Sequence, residues 1–136
     1  MALNNTRSGF ANISEFQASS LPWVATASTS NTTVVKYSFP FVTKSIILHN
    51  LESTSKKLRI GFTENGVNGV GGNYYFLIDS GDLVTLDVRV TELYVRADTS
   101  NTIQHSVYAG LTTISNDMMP ILTGSLNGQA VWNGVG

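Results

Sequence analysis

The most constraining feature of this chain is an alternation of apolar and polar side chains, repeated in short runs that close on Asp, Asn, Ser or Gly. The clearest run is Leu83–Val90. Val84, Leu86, Val88 and Val90 fall on one face, and Thr85, Asp87 and Arg89 on the other. Successive side chains of an extended backbone point to opposite sides, so this period of two marks a strand with one buried face. An aromatic run, Tyr74-Tyr75-Phe76-Leu77-Ile78, precedes it. Between the two, Asp79-Ser80-Gly81-Asp82 reads as the tight turn of a hairpin. Leu93-Tyr94-Val95-Arg96-Ala97 follows at once. On this reading, residues 74–97 organise the rest of the chain.

Further runs extend the pattern in both directions. Thr33–Phe39 reads as a strand with Val35, Tyr37 and Phe39 on one face and Val34, Lys36 and Ser38 on the other. Pro40 cannot donate to a ladder and marks a strand end or an edge. Ser45–Leu51 is apolar on both faces near its centre, as in a strand covered on both sides. In Lys57–Phe62, Leu58, Ile60 and Phe62 point inward, and Lys57, Arg59 and Gly61 outward. Residues 63–73 hold Asn65-Gly66, Asn68-Gly69 and Gly71-Gly72-Asn73. These accept positive φ and indicate a projecting turn tip. Ile103, His105, Val107, Ala109 and Leu111 share one face of a last strand, which Thr112-Thr113-Ile114 would extend. Residues 116–122 read as a short helical turn or an irregular segment. The sum is about seven strands at spacings of roughly ten residues, with no long helix. That pattern predicts an all-β sandwich, jelly-roll-like or immunoglobulin-like, with extended N- and C-terminal arms.

The expected organisation is an extended N-terminal arm over 1–32, a β-sandwich domain over 33–115 and a C-terminal segment or arm over 116–136. Ser, Thr and Asn are poor helix interiors, and Pro22 closes the helical option for the first arm. Its large aromatic residues need a home. Either they fold back on their own sandwich or they dock on a neighbouring subunit. Phe10, Phe16, Trp23 and, in the tail, Trp132 are the candidate subunit contacts.

Composition narrows the function classes. The chain has 136 residues, enough for one domain with a sizeable core. It has no cysteine, which excludes disulfides and thiolate metal sites. The net charge of −1 supplies no basic field for nucleic acid or an anionic membrane. Charged residues make up only 12 %, so hydroxyls and amides carry the surface, which suits either coverage by another protein or simply a Thr-rich β-protein. Met1–Arg7 lacks the basic and apolar regions of a signal peptide, and production in a host cytosol is expected.

No catalytic constellation emerges, so the chain is expected not to be an enzyme. His49 and His105 lie on separate strands without a carboxylate at a ligand spacing, so neither a metal nor a cofactor is expected. Asp79 and Asp82 are turn residues, and Asp87 belongs to a polar face. An enzyme would need Asp87 and Glu92 to converge in a pocket. Gly69-Val70-Gly71-Gly72 lacks the Lys-Ser/Thr ending of a phosphate loop. Tyr75, Tyr94 and Tyr108 fall opposite the main apolar sets. They form either a platform for sugar or protein, or a second, partly buried face.

Several stretches resemble small structural proteins of bacteriophage particles. They are Leu58-Arg59-Ile60-Gly61-Phe62, the Gly/Asn tip, Asn73-Tyr74-Tyr75-Phe76-Leu77, Val90-Thr91-Glu92-Leu93-Tyr94-Val95-Arg96 and Tyr108-Ala109-Gly110-Leu111. In such proteins a β-sandwich or jelly-roll body carries polar arms that reach across neighbouring capsid subunits. The resemblance implies a capsid cement or decoration protein, or a minor capsid subunit, located on the virion surface. Its partners would be the major capsid protein and copies of itself, in a dimer or trimer. The alternative is a receptor- or carbohydrate-binding module of a fibre or spike.

Overall fold

A computed structural model describes residues 19–99 and 102–118, together with the backbone at 125–126 and 129–130. Eight strands build the body: β1 (Leu21–Ser30), β2 (Val35–Ser38), β3 (Phe41–Asn50), β4 (Leu58–Gly61), β5 (Phe76–Ile78), β6 (Leu83–Leu86), β7 (Glu92–Ala97) and β8 (Thr102–Ser115). A short helix, α1 (Glu64–Asn68), stands between β4 and β5. After β8 come a 3-10 turn at Asn116–Met118 and a two-stranded pair, β9 (Ser125–Leu126) and β10 (Gln129–Ala130).

The strands form two antiparallel four-stranded sheets. Sheet A has the order β1-β8-β3-β6, and sheet B the order β2-β7-β4-β5. The pairings are nested: β1 with β8, β2 with β7, β3 with β6 and β4 with β5. The topology is that of one long four-tier hairpin rolled up until β3 meets β8 and β4 meets β7. This is a jelly roll, which resolves the choice left open with the immunoglobulin-like sandwich.

The alternation in the sequence builds the core. Ile103, His105, Val107, Ala109 and Leu111 are buried on β8, as are Ile46 and Leu48 on β3. Leu93, Val95 and Ala97 of β7 and Leu58 and Ile60 of β4 face them from sheet B. Tyr37 and Phe39 close one side, and Val84, Leu86 and Val88 pack half-buried at the other. Side chains on the two inner faces interdigitate, and each large one contributes about 1.5–3 kcal/mol by leaving water.

Polar side chains tie the corners where the chain changes sheets. Thr29 Oγ1 donates to the Thr33 carbonyl at 2.8 Å, and Arg96 Nε to the Asn31 carbonyl at 2.9 Å. Both brace the crossing from β1 to β2. Thr43 Oγ1 donates to the Val88 carbonyl at 2.7 Å and accepts from the Val90 amide at 3.0 Å. The β6–β7 crossing is thereby held against β3. At the opposite end Asn50 is fully buried. Its Nδ2 donates to the carbonyls of Lys56 at 2.8 Å and Ile78 at 3.3 Å, and its Oδ1 accepts from the Glu52 amide at 3.1 Å.

Four features differ from the sequence expectation. Residues 21–30 of the expected N-terminal arm are β1, a full strand of the body, so the body starts well before residue 33. Its inward side chains are Trp23, Ala25, Ala27 and Thr29, mostly too small to give a strong hydrophobic signal. Strands β5 and β6 do not form a hairpin. Residues 79–82 are a corner between sheets, with Gly81 at φ 78°. Residues 63–73 do not project as a turn tip. They contain α1, with Thr63 as its N-cap and Gly69 in the left-handed region as its C-cap. Gly61 is not exposed on its outward face, because α1 covers it: a Cβ there would lie 3.2 Å from Cβ of Val67.

Candidate functional site: the outer face of sheet A

The two outer faces of the sandwich differ sharply. On sheet B the outward residues include Lys36, Arg59, Glu92 and Arg96, and α1 lies across the middle with Val67 fully buried. The charges are engaged locally. Arg59 Nε donates to Asp98 Oδ1 at 2.7 Å, its Nη1 to the Val67 carbonyl at 3.2 Å, and its guanidinium lies 4.2 Å from the centre of the Tyr75 ring. Glu92 accepts from the Tyr94 hydroxyl at 3.0 Å and lies 3.3 Å from Lys36 Nζ. Partial burial pushes the Tyr94 phenol up, and Glu92 reinforces the shift. The same carboxylate raises the Lys36 ammonium.

Sheet A presents no such cover among the described residues. Its strand register sets two rows side by side across the outer face. One runs Val24, Tyr108, Ile47, Thr85, and the next Thr26, Ser106, His49, Leu83. Neither row contains Asp, Glu, Lys or Arg. Val24 is 71 % exposed and Leu83 is 59 % exposed. A shallow groove lined by Val24, Thr26, Ile47, His49, Ser106 and Tyr108 lies between the rows. The Thr26 and Ser106 hydroxyls bond each other at 2.9 Å, which leaves the floor of the groove weakly polar. Apolar rings and methyl groups bordered by hydroxyls suit contact with another polypeptide surface.

Strand β1 begins and β8 finishes at one end of sheet A. Leu21, where β1 begins, pairs with Leu111, and β8 runs on to Ser115 opposite Phe41. The segments before β1 and after β8 therefore leave from the same end of sheet A.

Of the candidate contact residues, Trp23 takes the intramolecular home. Its ring stands edge-on to Tyr37 at 5.5 Å and to Phe39 at 4.8 Å, where it partly closes the core. Phe10, Phe16 and Trp132 lie outside the described residues. The histidines separate by face. His105 is buried, and its Nε2 meets the Tyr37 hydroxyl at 2.7 Å. Burial holds its imidazole below the ordinary histidine pKa, and the Ile103 backbone only partly opposes this. Its Nδ1 makes no hydrogen bond of good geometry. His49 faces outward in the groove.

The three tyrosines also part company. Tyr94 is buried beneath sheet B's charges, Tyr75 is covered by Arg59, and Tyr108 alone joins the outer face of sheet A. Asp87 is exposed, while Glu92 is committed to Lys36 and Tyr94. Among the described residues no three His, Asp or Glu side chains gather into a metal-holding group, and no helix is long and apolar enough to cross a membrane.

The row Val24–Tyr108–Ile47 was not legible as a site, because its members come from three strands distant in sequence. Only the register brings them together. No protein-family model matches the chain, and no curated protein matches it in sequence.

Proposed function

We propose that this protein is a structural subunit of a virus particle, a cement, decoration or minor capsid protein that stabilises a shell by surface contact. The observation that carries this reading is the pair of uncharged rows on the outer face of sheet A, on a sheet where β1 begins and β8 finishes at the same end. Jelly rolls recur in viral capsid proteins, and that analogy of fold supports the same reading by association. The sandwich acts as a stiff spacer. Its bare face packs on the major capsid protein or on sister copies, and the terminal segments add contacts. Repetition over many sites turns weak individual contacts into firm attachment.

The test is mass spectrometry of purified particles for presence and copy number, with Val24→Lys and Ile47→Lys as probes. Both side chains face outward, so the variants keep the cooperative melt but lose incorporation at least tenfold. Normal incorporation of the double variant would overturn the assignment of the face. Light scattering on the purified chain reads whether it is a dimer or trimer before assembly.

A second reading has one observation in its favour. Ile60, Phe62, Asn73, Tyr74, Tyr75 and Phe76 line an open groove at the edge of sheet B, with Phe76 55 % exposed. Aromatic edges beside an amide suit a sugar ring, and lectins also use this fold. Glycan-array binding lost on Phe76→Ala would favour a receptor- or carbohydrate-binding module.

A further inference from the structure

The two sides of the sandwich are finished differently. On one side the edge strands are β1 and β2. Both carry features that discourage further pairing: Pro22 has no N–H to donate from β1, and β2 carries Lys36. On the other side the edges are β5 and β6, joined through the corner at residues 79–82. From Leu83 to Leu86 there is no proline, glycine or charge. Among the described residues no further strand lies beside β6, and β9 and β10 form a sheet of their own.

The core is open on this side. Phe76 shares a face with Ile78 and pairs with Ile60, both buried, yet Phe76 itself is exposed. Val84, Leu86 and Val88 also point inward but are only half-buried, whereas Ile46 and Leu48 beside them on β3 are fully buried. The backbone of β6 indicates what fits there. The Asn50 amide donates to the Asp82 carbonyl at 3.0 Å, and farther along the Thr43 amide donates to the Val90 carbonyl at 3.0 Å. Bonded pairs alternate along an antiparallel ladder, so Val84 and Leu86 turn their peptide groups toward β3. Those of Leu83, Thr85 and Asp87 point away from it, to the open edge. Such a row is a template for one more extended chain.

We propose that a second copy of this chain supplies that strand, with residues 83–89 paired antiparallel to the same stretch across a twofold axis through Leu86. The register follows from charge and burial. Inward residues meet inward residues only when the axis passes through a residue position. An axis at Val84 or Thr85 would set Asp82 against Leu86 or Val88, and an axis at Asp87 would set two carboxylates face to face. With the axis at Leu86, Val84 of each copy meets Val88 of the other, Leu86 meets Leu86 and Thr85 meets Asp87. No like charges stand directly opposite. The half-buried side chains of one copy then cover those of the other, and the exposed Phe76 and Leu77 of both β5 strands flank the seam. The two outer faces of sheet A are joined edge to edge and stay uncovered, so this pairing does not rest on the shell contact.

The chain has no cysteine, so a single introduced one reports the register. Across this axis the two Leu86 Cα atoms stand about 4.5 Å apart, within disulfide range, and the two Val84 Cα atoms about 13 Å apart, outside it. Under mild oxidation Leu86→Cys is expected to give a covalent dimer in at least fivefold higher yield than Val84→Cys. Equal yields would overturn the proposal. Light scattering of the unsubstituted chain at high micromolar concentration should read twice the chain mass, and a monomer or trimer would overturn it. Thr85→Pro removes an N–H that β3 does not use, so it should keep a cooperative melt and yield monomers. A folded Thr85→Pro variant that still dimerises would contradict the pairing. Hydrogen exchange needs no variant. In the dimer the Leu83 and Thr85 amides should be protected at least tenfold over an unstructured peptide, as those of Val84 and Leu86 are. Protection of only the latter two would also overturn the proposal. No particle enters these measurements, so their failure and a failure of incorporation are separate results.

Discussion

The Tyr37 hydroxyl and Nε2 of His105 meet at 2.7 Å inside the core, linking β2 of one sheet to β8 of the other. The neutral ring is the folded form, because burial holds the folded-state pKa below the ordinary value. The unfolded chain takes up the proton near 6.5. The stability tied to this residue is therefore in place above that pH and is lost as pH falls below it toward the folded pKa. Melting temperature should drop between pH 7 and pH 5, and His105→Gln should flatten that part of the profile. Equal slopes for the two proteins would refute the linkage.

Asn50 joins the β3–β4 crossing to the end of β5 through its side-chain amide. Asn50→Ala leaves the Lys56 and Ile78 carbonyls without this donor at a site closed to water. The expected cost is about 1–3 kcal/mol in chemical denaturation, with the slope unchanged.

Ile60 lies at the centre of sheet B and is 2 % exposed. A carboxylate there has no partner, so Ile60→Asp should abolish the folded state rather than weaken it. Circular dichroism with a cooperative melt for this variant would contradict the inward assignment.

Gly61 tests the cover on sheet B. An added Cβ meets Val67 at 3.2 Å and the Tyr74 carbonyl at 3.4 Å. Gly61→Ala should lift α1 at a cost of about 1–2 kcal/mol, seen as faster hydrogen exchange over 64–69 with the β-strand amides unaffected.

The strands with bulky inward side chains were legible in the sequence, and β8 was legible almost residue by residue. Its inward set alternates without interruption from Ile103 to Leu111. β1 was missed because Ala25 and Ala27 sit opposite Val107 and His105, so the partner strand supplies the bulk. The Asp79–Asp82 turn was recognised, but its destination was not. A Gly in the left-handed region serves a corner between sheets as well as a hairpin, and only pairing decides between them. α1 had a local signal that the Asn-Gly pairs obscured: Thr63, an N-cap, stands directly before Glu64, and the Gly66 amide donates to its hydroxyl at 2.9 Å. The outer-face rows could not be read in advance, since they depend on how far β3 and β1 slide along β8.

The nested pairing of the strands also sets an order on synthesis. β1 leaves the ribosome first, yet the strand it pairs with is the last of the eight to be made. β3 likewise lacks its longest neighbour until then. All eight strands must thus be made before sheet A can close, and the nascent chain must keep its earliest apolar strands from mispairing throughout that wait.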